Sequence, residues 1–258
     1  MTSLVVEQPT GGVALLRLDR PACLNAINQE LLDELLETCA SIAVNGDIRA
    51  VVLTGAGRGF CSGIDLRDFG PGMPEADAPA VDRMRFQERM GSLPQAVRAL
   101  PQPVIAAVNG PAVGGGLALC LAADLRIGAT SASFGNAAIG IGLSGAEMGM
   151  SYFLPRIVGA SVAADWMLTG RMVDAAEALR AGLVSQLVDD DDLIERAKEV
   201  AAQIAAHSSL GVQLTKRALQ VNTDAPDLAA AIELENRNQV ITHATDDAAA
   251  ARERWRKR

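Results

Sequence analysis

The sequence predicts an α/β layered fold that ends in a helical appendage, and three observations carry that reading. Short, nearly all-apolar runs recur, as expected of strands buried on both faces of a sheet. These runs alternate with segments of helical periodicity, the pattern of βαβ units with parallel pairing. Aromatic residues make up only 3% of a chain that is 49% hydrophobic, so the core has to be built from small aliphatic side chains and closely approaching backbones. A chain of 258 residues can bury roughly three quarters of its unfolded surface, in one large domain or one domain plus an appendage.

Taken in order, residues 4–7 and 13–19 flank a Thr-Gly-Gly turn and read as an opening β-hairpin. Asn28 then precedes Leu31, Leu32, Leu35, Leu36 and Cys39, apolar positions at helical spacing behind a capping residue. Residues 49–54 form a buried strand, followed by a first glycine loop. The Pro/Gly-rich stretch 70–79 reads as a mobile loop, and a long helix is expected over 80–100. Pro101 and Pro103 end that helix, and 104–108 supplies another buried strand. The order then repeats: a second glycine loop at 110–116, an apolar helix through Leu121, and a strand at 124–128. From Gly149 onward the pattern reads as helical only, with helices over 175–181, 191–206 and 209–221, and a last one from Asp227 into the basic tail 252–258.

The net charge of −8 excludes nucleic acid as the main partner, because phosphate binding needs a basic surface or stripe. Cys23, Cys39, Cys61 and Cys120 lack metal-type spacing and read as reduced thiols. The N-terminus has no basic start followed by an apolar stretch, and no apolar run approaches the roughly 20 residues that span a membrane. These features predict a soluble, unprocessed, cytoplasmic chain with no metal and no prosthetic group.

The chemistry is expected at the two glycine loops. The first, Arg58-Gly-Phe-Cys-Ser-Gly-Ile-Asp-Leu66, follows a buried strand, where small residues let a backbone approach a ligand closely. The second, Asn109-Gly-Pro-Ala-Val-Gly-Gly-Gly-Leu117, opens a helix whose first N–H groups have no partner within it. Neither loop is a nucleotide motif: there is no G-K-S/T ending, and no G-x-G-x-x-G opens the chain.

Two such loops, about 50 residues apart, resemble the paired oxyanion-hole loops of the enoyl-CoA hydratase/isomerase (crotonase) family. Arg20-Pro-Ala-Cys-Leu-Asn-Ala-Ile27 looks like that family's R-P-x-x-L-N-A segment, and Phe60-Cys-Ser-Gly-Ile-Asp-Leu66 like its F-C-A-G-x-D-L. Asn109-Gly-Pro-Ala-Val-Gly-Gly-Gly116 with Asp124 resembles its N-G-x-A-x-G-G-G signature, and Leu154-Pro-Arg-Ile-Val-Gly159 its L-P-R-x-x-G. The resemblance implies a crotonase-like spiral of repeated β-β-α and βαβ units, with an acyl-CoA-binding core over 1–200. A C-terminal helical region over 201–258 would build homotrimers, often paired into hexamers. It implies oxyanion donors at the backbone N–H groups of Ile64 and Gly115. It also implies a CoA path past the backbone of Cys23 and Leu24, with Arg58, Lys216 or the basic tail meeting the phosphates. CoA would arrive as part of the substrate, an acyl-CoA of fatty-acid or related metabolism.

The sequence departs from the family where its hydratases carry two glutamates, for the matching positions are Ala118 and Ala138. Alanine can neither orient water nor move a proton. Glu147 is the acid nearby, and it falls close to where isomerases of this family carry their proton-shuttling group, one residue of loop length apart. One base suffices to move a double bond; the same glutamate also fits a helix-start residue satisfying first-turn N–H groups. The expected reaction is isomerisation by Glu147. The alternatives are hydration by non-standard residues, an acyl-CoA-binding protein without catalysis, and a structural oligomer without a CoA site. Asp65 and Asp124 read as bonding loop backbone, and His207 and His243 as surface or interface residues. Met148, Met150, Tyr152 and Phe153 read as core or acyl-pocket lining, and Cys61 as lacking an activating base.

Overall fold

A computed structural model describes residues 2–75 and 77–256. The hairpin is present as β1 (Leu4–Thr10) and β2 (Val13–Leu18), paired antiparallel. Helix α1 (Gln29–Val44) follows, and the Asn28 side chain caps it by accepting from Leu31 N–H at 3.0 Å. Strand β3 (Ala50–Gly55), helix α2 (Ala80–Ala99) and strand β4 (Val104–Val108) come next, as the apolar runs predict. Then come β5 (Pro111–Val113), α3 (Gly115–Ala122), β6 (Leu125–Ala129) and β7 (Ser133–Gly135). Helices α4 (Met150–Val158) and α5 (Ala160–Thr169) lead to β8 (Val173–Asp174), α6 (Ala175–Arg180) and β9 (Gln186–Val188). Helices α7 (Leu193–Ala205), α8 (Ser209–Asn222), α9 (Leu228–His243) and α10 (Asp246–Arg256) complete the chain.

Six strands form one sheet in the order β1-β2-β3-β4-β6-β9, parallel everywhere except in the hairpin. A smaller sheet, β5-β7-β8, stands beside it. The central strands are apolar throughout because each serves two cores. Val51 and Leu53 of β3, with Val104, Ala106 and Val108 of β4, pack into the larger core with α1, α2 and α3. The alternate residues Ala50, Val52, Ile105 and Ala107 pack on the other face against Leu193, Ala197 and Ala201 of α7. Alanines four residues apart let α7 lie close on the sheet, and the helix runs through position 200 without interruption.

The structure corrects three expectations. The region after Gly149 is not helical only: β9 closes an edge of the large sheet beside β6, and β8 pairs with β7. The second glycine loop likewise contains a strand, β5. These pieces have two or three residues each, too few for a period-two pattern to show in sequence. The segment from Asp227 is two helices rather than one, divided at Ala244 and Thr245.

Candidate active site

Residues 20–27 are the floor on which the first glycine loop is built. Leu24 and Asn25 adopt left-handed backbone (φ 53° and 57°). The fully buried Asn25 side chain is thereby aimed at the loop, where its Nδ2 donates to Gly59 O at 2.7 Å and Ala56 O at 3.0 Å. Its Oδ1 accepts from Arg20 N–H at 2.9 Å. Ser62 donates to both neighbours, through N–H to Leu24 O at 2.9 Å and through Oγ to Cys23 O at 3.1 Å. Cys23 and Leu24 thus sit half-buried against the loop.

A short parallel bridge between Ile27 and Ile64 sets the direction of the loop's end. Ile27 uses both of its backbone groups there, donating to Gly63 O at 2.7 Å and accepting from Asp65 N–H at 2.9 Å. In parallel pairing of this kind the opposing residue's own N–H faces the other way, so that of Ile64 points away from Ile27. A second bridge, between Cys61 and Ala112, brings the two glycine loops together. Gly116 makes that approach possible, since a Cβ there would lie 2.0 Å from Cys61 O. Gly63 combines a φ of +97° with the same crowding: its Cβ would stand 2.9 Å from Val113 O and 3.3 Å from Gly115 N. Gly115 is the first residue of α3, so its N–H has no acceptor within the helix. The structure therefore brings Ile64 and Gly115 into one small region, each with an N–H left over from local pairing.

Glu147 reaches the same region from the segment between β7 and α4. A Cβ on Gly114 would lie 3.7 Å from Glu147 Oε1 and 3.9 Å from Gly63 Cα. The first N–H of α4, that of Met150, donates to the Glu147 backbone carbonyl at 2.9 Å, and among the described residues no first-turn N–H donates to the Glu147 carboxyl. Burial pushes its carboxyl above the usual carboxylate range. Met148, with φ 47° and 8% exposure, tucks its sulfur under Gly115, where a Cβ would be 3.2 Å from Sδ. Ala118 and Ala138 are both buried and contribute no proton-transfer group.

The remaining candidates fall elsewhere. Lys216 is not free to meet a phosphate: it is buried, and its Nζ donates to Asp124 Oδ2 at 2.7 Å and Gln102 O at 2.9 Å. Asp124 also accepts from Val104 N–H at 2.8 Å and lies 3.6 Å from Arg98, so it is structural, as its motif position suggests. Asp65 accepts from Arg67 and Asp68 N–H at 3.2 and 3.0 Å and pairs with Arg20 at 2.9 Å. Arg58 is exposed on the first loop. In the tail, Lys257 and Arg258 lie outside the described residues. His243 is exposed beside Arg252, and the His207 carbonyl accepts from Arg49. Burial pushes the Cys61 thiol up to about 12, so it stays protonated and inert. Met150 is core, while Tyr152 is 43% exposed, donates to Asp224 at 2.8 Å and, with Phe153, lines a cavity against α8 away from the glycine loops.

Sequence reasoning missed the parts that hold these loops in place. Asn25 and Arg20 stand inside a quoted motif, yet their roles as clamp and ion-pair partner depend on the left-handed turn at 24–25, which no side-chain pattern announces. Asn136, a lone polar residue after Phe134 and Gly135, carries no sequence signal.

Fold and site together define an α/β protein in which two interlocked glycine loops meet beside one desolvated carboxyl group. The profile of the enoyl-CoA hydratase/isomerase family matches residues 8–257, and the chain belongs to that family: it is an enzyme acting on acyl-CoA. It is 42% identical over 255 residues to the Mycobacterium bovis protein named probable enoyl-CoA hydratase echA12, covering 96% of this chain and 89% of that one. Among solved structures, the enoyl-CoA hydratase of Bacillus anthracis superposes with a TM-score of 0.92 at 32% identity, covering 99% and 96% of the two chains. A monofunctional enoyl-CoA isomerase from M. smegmatis superposes with a TM-score of 0.76 at 42% identity, covering 90% of this chain and 99% of that one. These matches establish the crotonase-like architecture with its C-terminal helices. Among the described residues no helix is long and apolar enough to cross a membrane.

Proposed function

We propose that the enzyme shifts the double bond of an enoyl-CoA, with Glu147 as the sole acid–base group and the N–H groups of Ile64 and Gly115 as oxyanion donors. The observation that carries this reading is the placement of one desolvated carboxyl group against Gly114, beside the two loops, while Ala118 and Ala138 supply no second acid.

In this reading the Glu147 carboxylate takes a proton from C2 of a 3-enoyl thioester. The electron pair left behind delocalises onto the thioester oxygen, where the two N–H groups stabilise it; losing one such donor costs about 3–4 kcal/mol in other enzymes. The carboxylic acid then returns the proton to C4. The double bond has moved from C3–C4 to C2–C3, the carboxylate is regenerated, and nothing else is consumed. With alanine at 118 and 138 there is no pair of acids to divide activation of water from protonation of carbon, which favours the proton shuttle over hydration. The CoA portion passes the backbone of Cys23 and Leu24, and Arg58, which is exposed, meets its phosphates. The enzyme assembles as a trimer, alone or paired, through α9, which buries no residue and exposes Leu228 (75%) and Val240 (73%); light scattering reads that mass directly.

The test is an ultraviolet assay with crotonyl-CoA and 3-hexenoyl-CoA on the wild type and on Glu147→Gln. Turnover of the 3-enoyl ester that collapses in the variant is expected. Hydration of crotonyl-CoA that survives the substitution would place the catalytic acid elsewhere, and tight thioester binding without turnover would make the protein a binder.

A further inference from the structure

Asn136 has no part in the chemistry described so far, yet it is 4% exposed and bonded at both ends of its amide. Its Nδ2 donates to Gly145 O at 2.6 Å, and its Oδ1 accepts from Ala138 N–H at 3.3 Å. One side chain therefore ties the end of β7 to a point two residues before Glu147. The arch between them, 140–144, is exposed and has little packing to hold it. Gly145 fits the clip tightly, since a Cβ there would lie 2.7 Å from Asn136 Nδ2 and 3.1 Å from Met167 O. On the other side of the clip, Gly135 O accepts from Gly114 N–H at 3.0 Å. The strand end that carries Asn136 thus also holds the second glycine loop, against which the Glu147 carboxyl rests.

The geometry points to Asn136 as the positioning residue for Glu147: its amide references the arch that bears the acid to the loop that binds the thioester. This rests on the reading of Glu147 as the proton shuttle. A carboxyl group released from that reference loses its aim at C2, while the thioester-binding loops keep theirs. Misplacement of a catalytic group by about 1 Å can lower a rate about a hundredfold.

The experiment compares Asn136→Ala, Glu147→Gln and the double variant with 3-hexenoyl-CoA. Asn136→Ala is expected to lower kcat about a hundredfold with KM nearly unchanged. It should also move the acid limb of the rate toward lower pH, because the loosened carboxyl reaches water. The double variant should be no slower than Glu147→Gln. Equal rate losses in the wild-type and Glu147→Gln backgrounds would show a general structural role and overturn the inference, as would an Asn136→Ala enzyme with wild-type kcat. If Asn136→Ala does not fold, Gly145→Ala displaces the same amide and is read by the same comparison. Failure of the Glu147 reading is visible separately, as an active Glu147→Gln enzyme, and removes the inference with it.

Discussion

Arg20 Nη1 lies 2.9 Å from Asp65 Oδ2 in a pair that is almost closed to solvent, with side chains 16% and 9% exposed. The bond joins the floor segment to the far end of the first glycine loop, one residue past Ile64. Removing either partner leaves a buried charge alone, so Arg20→Ala or Asp65→Ala should destabilise the fold by about 3–5 kcal/mol, measured by urea unfolding. Burial alone raises the Asp65 carboxyl, but the bonds from Asp68 N–H, Arg20 and Arg67 N–H outweigh it and hold the group below its usual range. A depressed carboxylate contributes stability above its unfolded pKa and loses it as pH falls through the folded one. The wild type should therefore lose more stability than Asp65→Asn on acidification below the ordinary aspartate range.

Lys216 gives a prediction of the opposite kind. Its ion pair with Asp124 joins α8 to the start of β6 and lies outside the reaction centre. Lys216→Met should lower the melting temperature markedly, since Asp124 loses its closest cation. Affinity for CoA measured calorimetrically below that temperature should be unchanged. A large loss of CoA affinity in folded protein would return Lys216 to the phosphate site.

With Glu147 as the proposed base, its raised carboxyl is expected to set the pH profile. The base must be ionised to take a proton, so kcat/KM for a 3-enoyl thioester should rise with pH through the Glu147 pKa, with its midpoint above the ordinary glutamate range. The sign for stability is the reverse of that for Asp65. A carboxyl group whose folded pKa is raised favours folding while protonated and opposes it once ionised. Glu147→Gln should therefore melt no lower than the wild type at neutral pH, while its turnover falls by roughly 10²–10⁴.

Gly63 tests the loops. Alanine at this position meets a φ of +97° and a carbonyl at 2.9 Å, so the loop must shift against Gly115. With the Gly115 N–H as the proposed oxyanion donor, displacing it is expected to lower kcat by roughly 10²–10³, with a smaller change in the Kd for CoA. The comparison of single-turnover rate with binding affinity checks it.

The strands and helices with long patterns are legible in the sequence alone. The buried runs at β3 and β4, the Asn28 cap and the glycine loops all follow from local spacing. The short strands β5, β7, β8 and β9 are not, because two or three residues make a strand only when a neighbouring strand is already in place. Glu147 was legible as the surviving acid once Ala118 and Ala138 were noticed.

By itself, then, the sequence determined the family and the paired glycine loops, since these depend on residue identity and order along the chain. Tertiary structure decided which way each group faces. The left-handed turn at Leu24 and Asn25 aims a buried amide at loop carbonyls, and the bridge at Ile27 leaves the Ile64 N–H unpaired. Close approach at Gly116 joins loops some 50 residues apart, and Asp124 captures Lys216 from a distant helix. Each of these depends on contacts between segments remote in the chain, where direction is set by packing and hydrogen bonding rather than by spacing.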